Sequence, residues 1–134
     1  MMRIGIASLT LAAGVTTIVF AASSSPTAHF TADQASRGSL TYAIQCSLCH
    51  GADLGGYYAP ALAGSASNIP WLPPGFVYGY TSVYMPAGNA GGLKEQDYVN
   101  ITAFLMQRNG RHPDRTPLTV QAIQNDPTPM TPTR

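Results

Sequence analysis

Cys46-Ser47-Leu48-Cys49-His50 is the stretch on which the reading of this chain turns. On a helical turn, positions three and four apart share one face. Two thiols three residues apart can therefore reach neighbouring points along one side of a flat macrocycle, and the histidine that follows falls beneath its centre. Cys-x-x-Cys-His accordingly reads as an attachment site for one covalent haem c. Cys46 and Cys49 would form the thioethers, and His50 would be an axial iron ligand. Two other readings compete. A thioredoxin-like redox pair calls for a strand-helix-strand context, which the pattern of this chain lacks. A structural disulfide with a bystander histidine suits an oxidising compartment, but it leaves the adjacent histidine and the downstream methionine without a role.

The second axial ligand decides what such a haem does. Met1 and Met2 leave with the apolar N-terminal run, which reads as a secretory signal; Met106 sits near the packing face of a predicted helix, and Met130 lies in a Pro-rich tail where mobility is expected. Met85 is different. Pro86 follows it and disfavours helix at Met85, which keeps the backbone extended and suits a thioether presented from a loop. A His50/Met85 pair leaves no open coordination position and raises the potential of the iron. Such a site passes electrons and takes no small-molecule substrate. His29, ahead of the first helix in a leader expected to be mobile, and His112, between Arg111 and Pro113, read as solvated loop residues.

Outward from the motif, helix signals bracket a long irregular middle. Thr31 with Gln34 forms a capping box, so a helix is expected from Ala32 to about Cys46 or Cys49. Gly51, Asp53, Gly55 and Gly56 break the chain. Residues 57–85 show no sustained period and hold four prolines. They read as an ordered loop with one or two short helical turns, and a loop of that length should be wrapping something. Leu93 to Gln107 is the clearest helix, with Tyr98, Ile101 and Leu105 at helical spacing and Asn109-Gly110 as its stop. Beyond Arg111 the prolines return. Thr119 to Asn125 suits a short capped helix, and the last eight or so residues read as extended or disordered.

The chain has 134 residues, one domain at most. Residues 1–21 read as a secretory signal: Arg3, then an apolar run from Ile4 to Phe20, then a cleavage point after Ala21. An uncleaved membrane anchor is the alternative, and either places the remainder outside the cytoplasm, in the periplasm. Seven Lys+Arg face six Asp+Glu, and removing Arg3 leaves a formally neutral polypeptide. No basic patch or charge run points to nucleic acid. So short a chain builds a modest apolar core, which a bound macrocycle would enlarge.

With these residues in hand, the chain resembles the class I c-type cytochromes over about residues 31–110. Gly38, Tyr42 and Cys46 match the family's Gly, aromatic and first Cys, four apart. Pro60-Ala61-Leu62-Ala63-Gly64 matches its Pro-x-Leu-x-Gly stretch, and Met85-Pro86-Ala87-Gly88 resembles its axial-methionine loop. The resemblance implies an all-α fold in which first and last helices cross and loops enclose one haem. It implies close approach of Gly38 to Ile101, Phe104 and Leu105, and a Pro60 carbonyl that accepts the Nδ1–H of His50. The organisation it suggests is a leader at 22–30, a cytochrome domain at 31–110 and a Pro-rich extension at 111–134. Lys94 departs from the Ser or Thr that relatives carry as a helix cap, so the helix start there could shift.

Gly51-Ala52-Asp53-Leu54, Met85-Pro86-Ala87-Gly88-Asn89 and Thr116-Pro117-Leu118-Thr119 look similar to cytochrome domains or subunits serving quinoprotein alcohol dehydrogenases. The implied function is non-catalytic electron transfer between redox proteins, with a quinoprotein dehydrogenase as candidate donor and a terminal oxidase as candidate acceptor. A tightly bound haem subunit of a larger dehydrogenase or oxidase, docked through the tail from Arg111, is the alternative. Trp71, Tyr78, Tyr80 and Tyr84 are candidate donors to the haem propionates, Trp71 first, although each could instead pack on the haem edge.

Overall fold

The computed structural model describes residues 27–131. The secretory signal read at 1–21 and its cleavage point lie outside the described residues. Those residues are helical, with no strand among them. The helices are α1 (Ala32–Gln45), α2 (Ser47–His50), α3 (Pro74–Tyr84), α4 (Glu95–Arg108) and α5 (Val120–Asn125), with a 3-10 turn at Ile69–Trp71. None is long and apolar enough to cross a membrane.

α1 starts where its capping box places it. The Thr31 side chain accepts from the Gln34 N–H at 3.2 Å, and the Thr31 N–H donates to Gln34 Oε1 at 3.2 Å. Gln34 also reaches the tail: its Oε1 accepts from the Leu118 N–H at 2.7 Å and its Nε2 donates to the Leu118 carbonyl at 2.9 Å. The helix breaks at Cys46 (φ −126°, ψ −34°) and resumes as the single turn α2, which Gly51 ends.

α1 packs on α4 at the smallest residue available. A Cβ on Gly38 would stand 1.9 Å from the Asn100 carbonyl oxygen and 2.9 Å from Phe104 Cβ. Phe104 is thus one of the three expected partners, but the tightest contact is to the Asn100 main chain. One turn on, the Tyr42 and Phe104 rings meet with centroids 5.3 Å apart. α4 is buried throughout residues 98–106, because α1 covers it on one side and α3 on another. Met106 belongs to this core, fully buried. Lys94 is the N-cap and makes no side-chain cap bond. Glu95 and Asp97 in the first turn complement the helix dipole instead.

The middle of the chain is more ordered than its sequence suggests. Within the expected loop, Pro74–Tyr84 is an 11-residue α-helix. Gly75, Gly79 and β-branched residues lower its intrinsic propensity. Pro74 at its first turn pre-sets φ, and burial of Val77 and Tyr78 stabilises it through packing. Gly75 also sits close to α5: a Cβ there would lie 3.1 Å from the Ile123 carbonyl oxygen, a tight contact.

Both flanks of residues 31–110 join the same core. Thr119 caps α5 as expected, accepting from the Ala122 N–H. The stretch after it is extended but not loose. Met130 is fully buried, its N–H donates to the Leu72 carbonyl at 2.8 Å, and the Thr131 N–H donates to the Pro70 carbonyl at 3.0 Å. The expectation of a mobile Met130 is therefore wrong: an apolar side chain and two main-chain bonds outweigh the prolines around them. The described part of the leader is fixed too. Ala28 and Phe30 are buried, the Ala28 N–H donates to Asp126 Oδ2 at 2.9 Å, and His29 pairs with the Asp114 carboxylate. His112 is exposed, as read.

Candidate haem site

A cavity of about 500 Å³ opens between α2, the 57–69 loop, α3 and α4. Its wall brings together Cys46, Cys49, His50, Pro60 and Met85, the five residues singled out in the sequence. Cys46 is half-buried at the break between α1 and α2, and Cys49 is exposed. No disulfide joins them. Burial pushes the Cys46 thiol up to about 11, with neighbouring Cys49 adding to the effect. The thiol is therefore neutral and adds no charge to the wall.

His50 is buried, and its Nδ1 lies 2.8 Å from the Pro60 carbonyl oxygen. A carbonyl can only accept, so Nδ1 is the donor of this bond and Nε2 is the nitrogen left to meet a metal. This is the arrangement that orients a histidine for a metal. The loop that delivers the carbonyl is tied on both sides. The Ala59 N–H donates to the Cys49 carbonyl at 2.9 Å, and Asn109 Nδ2, at the end of α4, donates to the Leu62 carbonyl at 3.1 Å. Tyr42, its phenol pushed up to about 12 chiefly by burial, donates to the Gly51 carbonyl at 2.6 Å and closes the turn behind His50.

Met85 faces the same cavity from the end of α3. Its backbone is extended (φ −117°, ψ 153°), as the following proline requires. Much of the rest of the wall is apolar, from Leu62, Ile69, Phe76, Val77, Ile101 and Leu105, and it contains no Asp, Glu, Lys or Arg. Two thiols, an imidazole with one free nitrogen, a thioether and uncharged walls fit a covalently held macrocycle. They do not fit a carboxylate-bound metal, and no cluster of His, Cys, Asp or Glu able to hold a bare ion occurs among the described residues.

Of the candidate propionate donors, Tyr80 lines the cavity, whereas Trp71, Tyr78 and Tyr84 are not on its wall. Trp71 is 74% exposed, because the 3-10 turn carries it outward. Tyr58 and Asn68 are polar wall residues that sequence reasoning passed over. Tyr58 directly precedes the Ala59-Pro60 step that the Pro-x-Leu-x-Gly match had already drawn to the site, and that proximity was the available signal.

A family model described as cytochrome c oxidase, cbb3-type, subunit III matches residues 33–105. The chain belongs to this cytochrome family. The cytochrome carries one covalently bound haem c, and it is an electron carrier rather than a catalyst. It is also similar to a chain in the crystal structure of the sulfane dehydrogenase SoxCD from Paracoccus pantotrophus. That match has 31% identity and a TM-score of 0.62, and covers 71% of this cytochrome and 53% of the other chain. This cytochrome thus spans about half the length of the chain it matches. No curated protein matches it significantly.

Proposed function

We propose that this cytochrome is an exported, periplasmic carrier whose haem iron is held by His50 and Met85, and that it passes single electrons from a dehydrogenase-type donor to a downstream acceptor. The observation that carries the reading is the convergence of Cys46, Cys49, His50 and Met85 on one uncharged cavity. Haem c supplies the one-electron couple when bound. The protein's own residues do the rest. Cys46 and Cys49 anchor the group, the Pro60 carbonyl orients His50, and the apolar wall from α3 and α4 excludes water. Met85 fills the last coordination position, so substrate has no place to bind.

A second reading has specific support. The family description and the SoxCD match both concern larger complexes, which favours a tightly bound haem subunit of a dehydrogenase or oxidase. The tail from Arg111 was the candidate docking element for that role. Its Met130 and Thr131 are instead engaged within the fold, so docking would fall to another surface. Isolation from native periplasm or membranes separates the two: a free monomer supports the carrier, and a stoichiometric partner supports the subunit.

The ligand assignment is tested by absorption spectra of the oxidised and reduced protein with and without carbon monoxide. A low-spin spectrum unchanged by carbon monoxide, with Met85→Ala opening the iron to it, is the expected result. Ready binding by the unmodified protein would remove Met85 as a ligand and with it the closed-carrier reading.

A further inference from the structure

We infer that Tyr98 of α4 is a positioning residue for Met85, and that its phenol sets how firmly the thioether is presented to the iron. The inference rests on the reading of Met85 as a ligand. Tyr98 is 3% exposed in the core. Its hydroxyl donates to the Met85 carbonyl at 2.7 Å and accepts from the Leu93 N–H at 3.2 Å. Both capacities of the oxygen are therefore engaged at the two ends of the loop that joins α3 to α4.

A phenylalanine would fill the same apolar space without the cost of burying a hydroxyl, so the oxygen marks a polar task. That task falls on the main chain of Met85. The other restraints there are local: the Met85 N–H donates to the Thr81 carbonyl at 3.0 Å, and the Gly91 N–H donates to the Met85 carbonyl at 3.2 Å. The first comes from α3 and the second from the loop itself. Of the hydrogen bonds to the Met85 main chain, that from Tyr98 is the one made by α4, the helix whose main chain α1 touches at Gly38. The position of Met85 relative to the His50 wall is thereby referred to the α1–α4 pair as well as to α3 and the loop.

The test is Tyr98→Phe, which keeps the ring and the packing, read by carbon monoxide titration and by midpoint potential. Thr102→Val is the control. It removes another buried bond of α4, from Thr102 Oγ1 to the Tyr98 carbonyl at 2.9 Å, and leaves Met85 untouched. The expected result is that Y98F retains haem and helicity, binds carbon monoxide roughly threefold to tenfold more readily in the reduced state, the weight of one net hydrogen bond, and has a lower potential, while T102V changes only thermal stability. If Y98F matches T102V, Tyr98 is merely a staple of the fold and the inference is overturned. If Met85→Ala opens the iron and Y98F does not, the clamp falls and the ligand assignment stands. If the unmodified protein already binds carbon monoxide freely, both fall together.

Discussion

Arg111 Nη1 lies 2.6 Å from Asp126 Oδ2, and the two side chains are 8% and 0% exposed. The guanidinium is satisfied throughout: Nη2 donates to the Thr128 carbonyl and to Thr128 Oγ1, Nε donates to the Pro129 carbonyl, and Nη1 also reaches the Ala28 carbonyl. Asp126 in turn accepts from the Ala28 N–H. One buried ion pair therefore holds the leader and the tail against each other.

Breaking that pair from one side should be costly, because the remaining charge stays buried. Arg111→Met is expected to lose about 3–5 kcal/mol of unfolding free energy in a urea titration. Adding Asp126→Asn should return part of the loss. A loss in the double equal to the sum of the two single losses would mean that the pair is not coupled.

The same carboxyl gives a pH dependence. Desolvation pushes the Asp126 carboxyl up, but hydrogen bonds from Thr128, Arg111 and the Ala28 N–H together outweigh it and hold it below its ordinary value. A depressed folded value contributes stability above the unfolded pKa, about 3.9, and that contribution disappears as pH falls through the folded value. The stability difference between the unmodified protein and Asp126→Asn should accordingly be large at pH 7 and shrink on the acid side of pH 4. Equal differences at both pH values would refute the assignment.

Gly38→Ala should be poorly tolerated. The added methyl would stand 1.9 Å from the Asn100 carbonyl oxygen, and main chain cannot rotate away as a side chain does. Overpacking costs about 1–3 kcal/mol where neighbours can adjust, and this contact belongs at or beyond the upper end. Calorimetric melting of the haem-loaded protein measures it, with Ser39→Ala on the half-exposed flank as the reference.

From Leu54 to Leu93 the chain contains no Asp, Glu, Lys or Arg, and this stretch supplies much of the cavity wall. Encounter with a redox partner through that side has little charge to steer it. Electron-transfer rates with the native donor should change by less than about threefold between 0.05 M and 0.5 M salt. A collapse of the rate with salt would place docking on the charged ends of the molecule instead.

Much of the site was legible because its chemistry is local. Cys46, Cys49 and His50 sit on adjacent turns, Pro86 dictates the backbone of Met85, and the Thr31/Gln34 cap needs only four residues. What escaped depends on distant partners. α3 was hidden because its glycines and aromatics give no clean period, and its stability comes from packing on α4 and α5. Met130 looked free because its burial against residues near Leu72 is invisible to a window of sequence. Tyr98 read correctly as a core position, but its hydroxyl bond to Met85 spans thirteen positions and leaves no pattern. Asn100 was missed for a simpler reason: the contact at Gly38 is made by its carbonyl, which every residue possesses.

Because Ala28 is bonded to Asp126 across 98 positions, the described chain starts and finishes at one corner of the molecule. Topologically it is nearly a ring. A short polar linker could close it, and new termini could be cut at Gly64, an exposed position with nothing within 4 Å of where a side chain would begin. Such a circular permutant would keep the α1–α4 pair and the helices around the cavity while reversing the order in which the His50 and Met85 walls leave the ribosome.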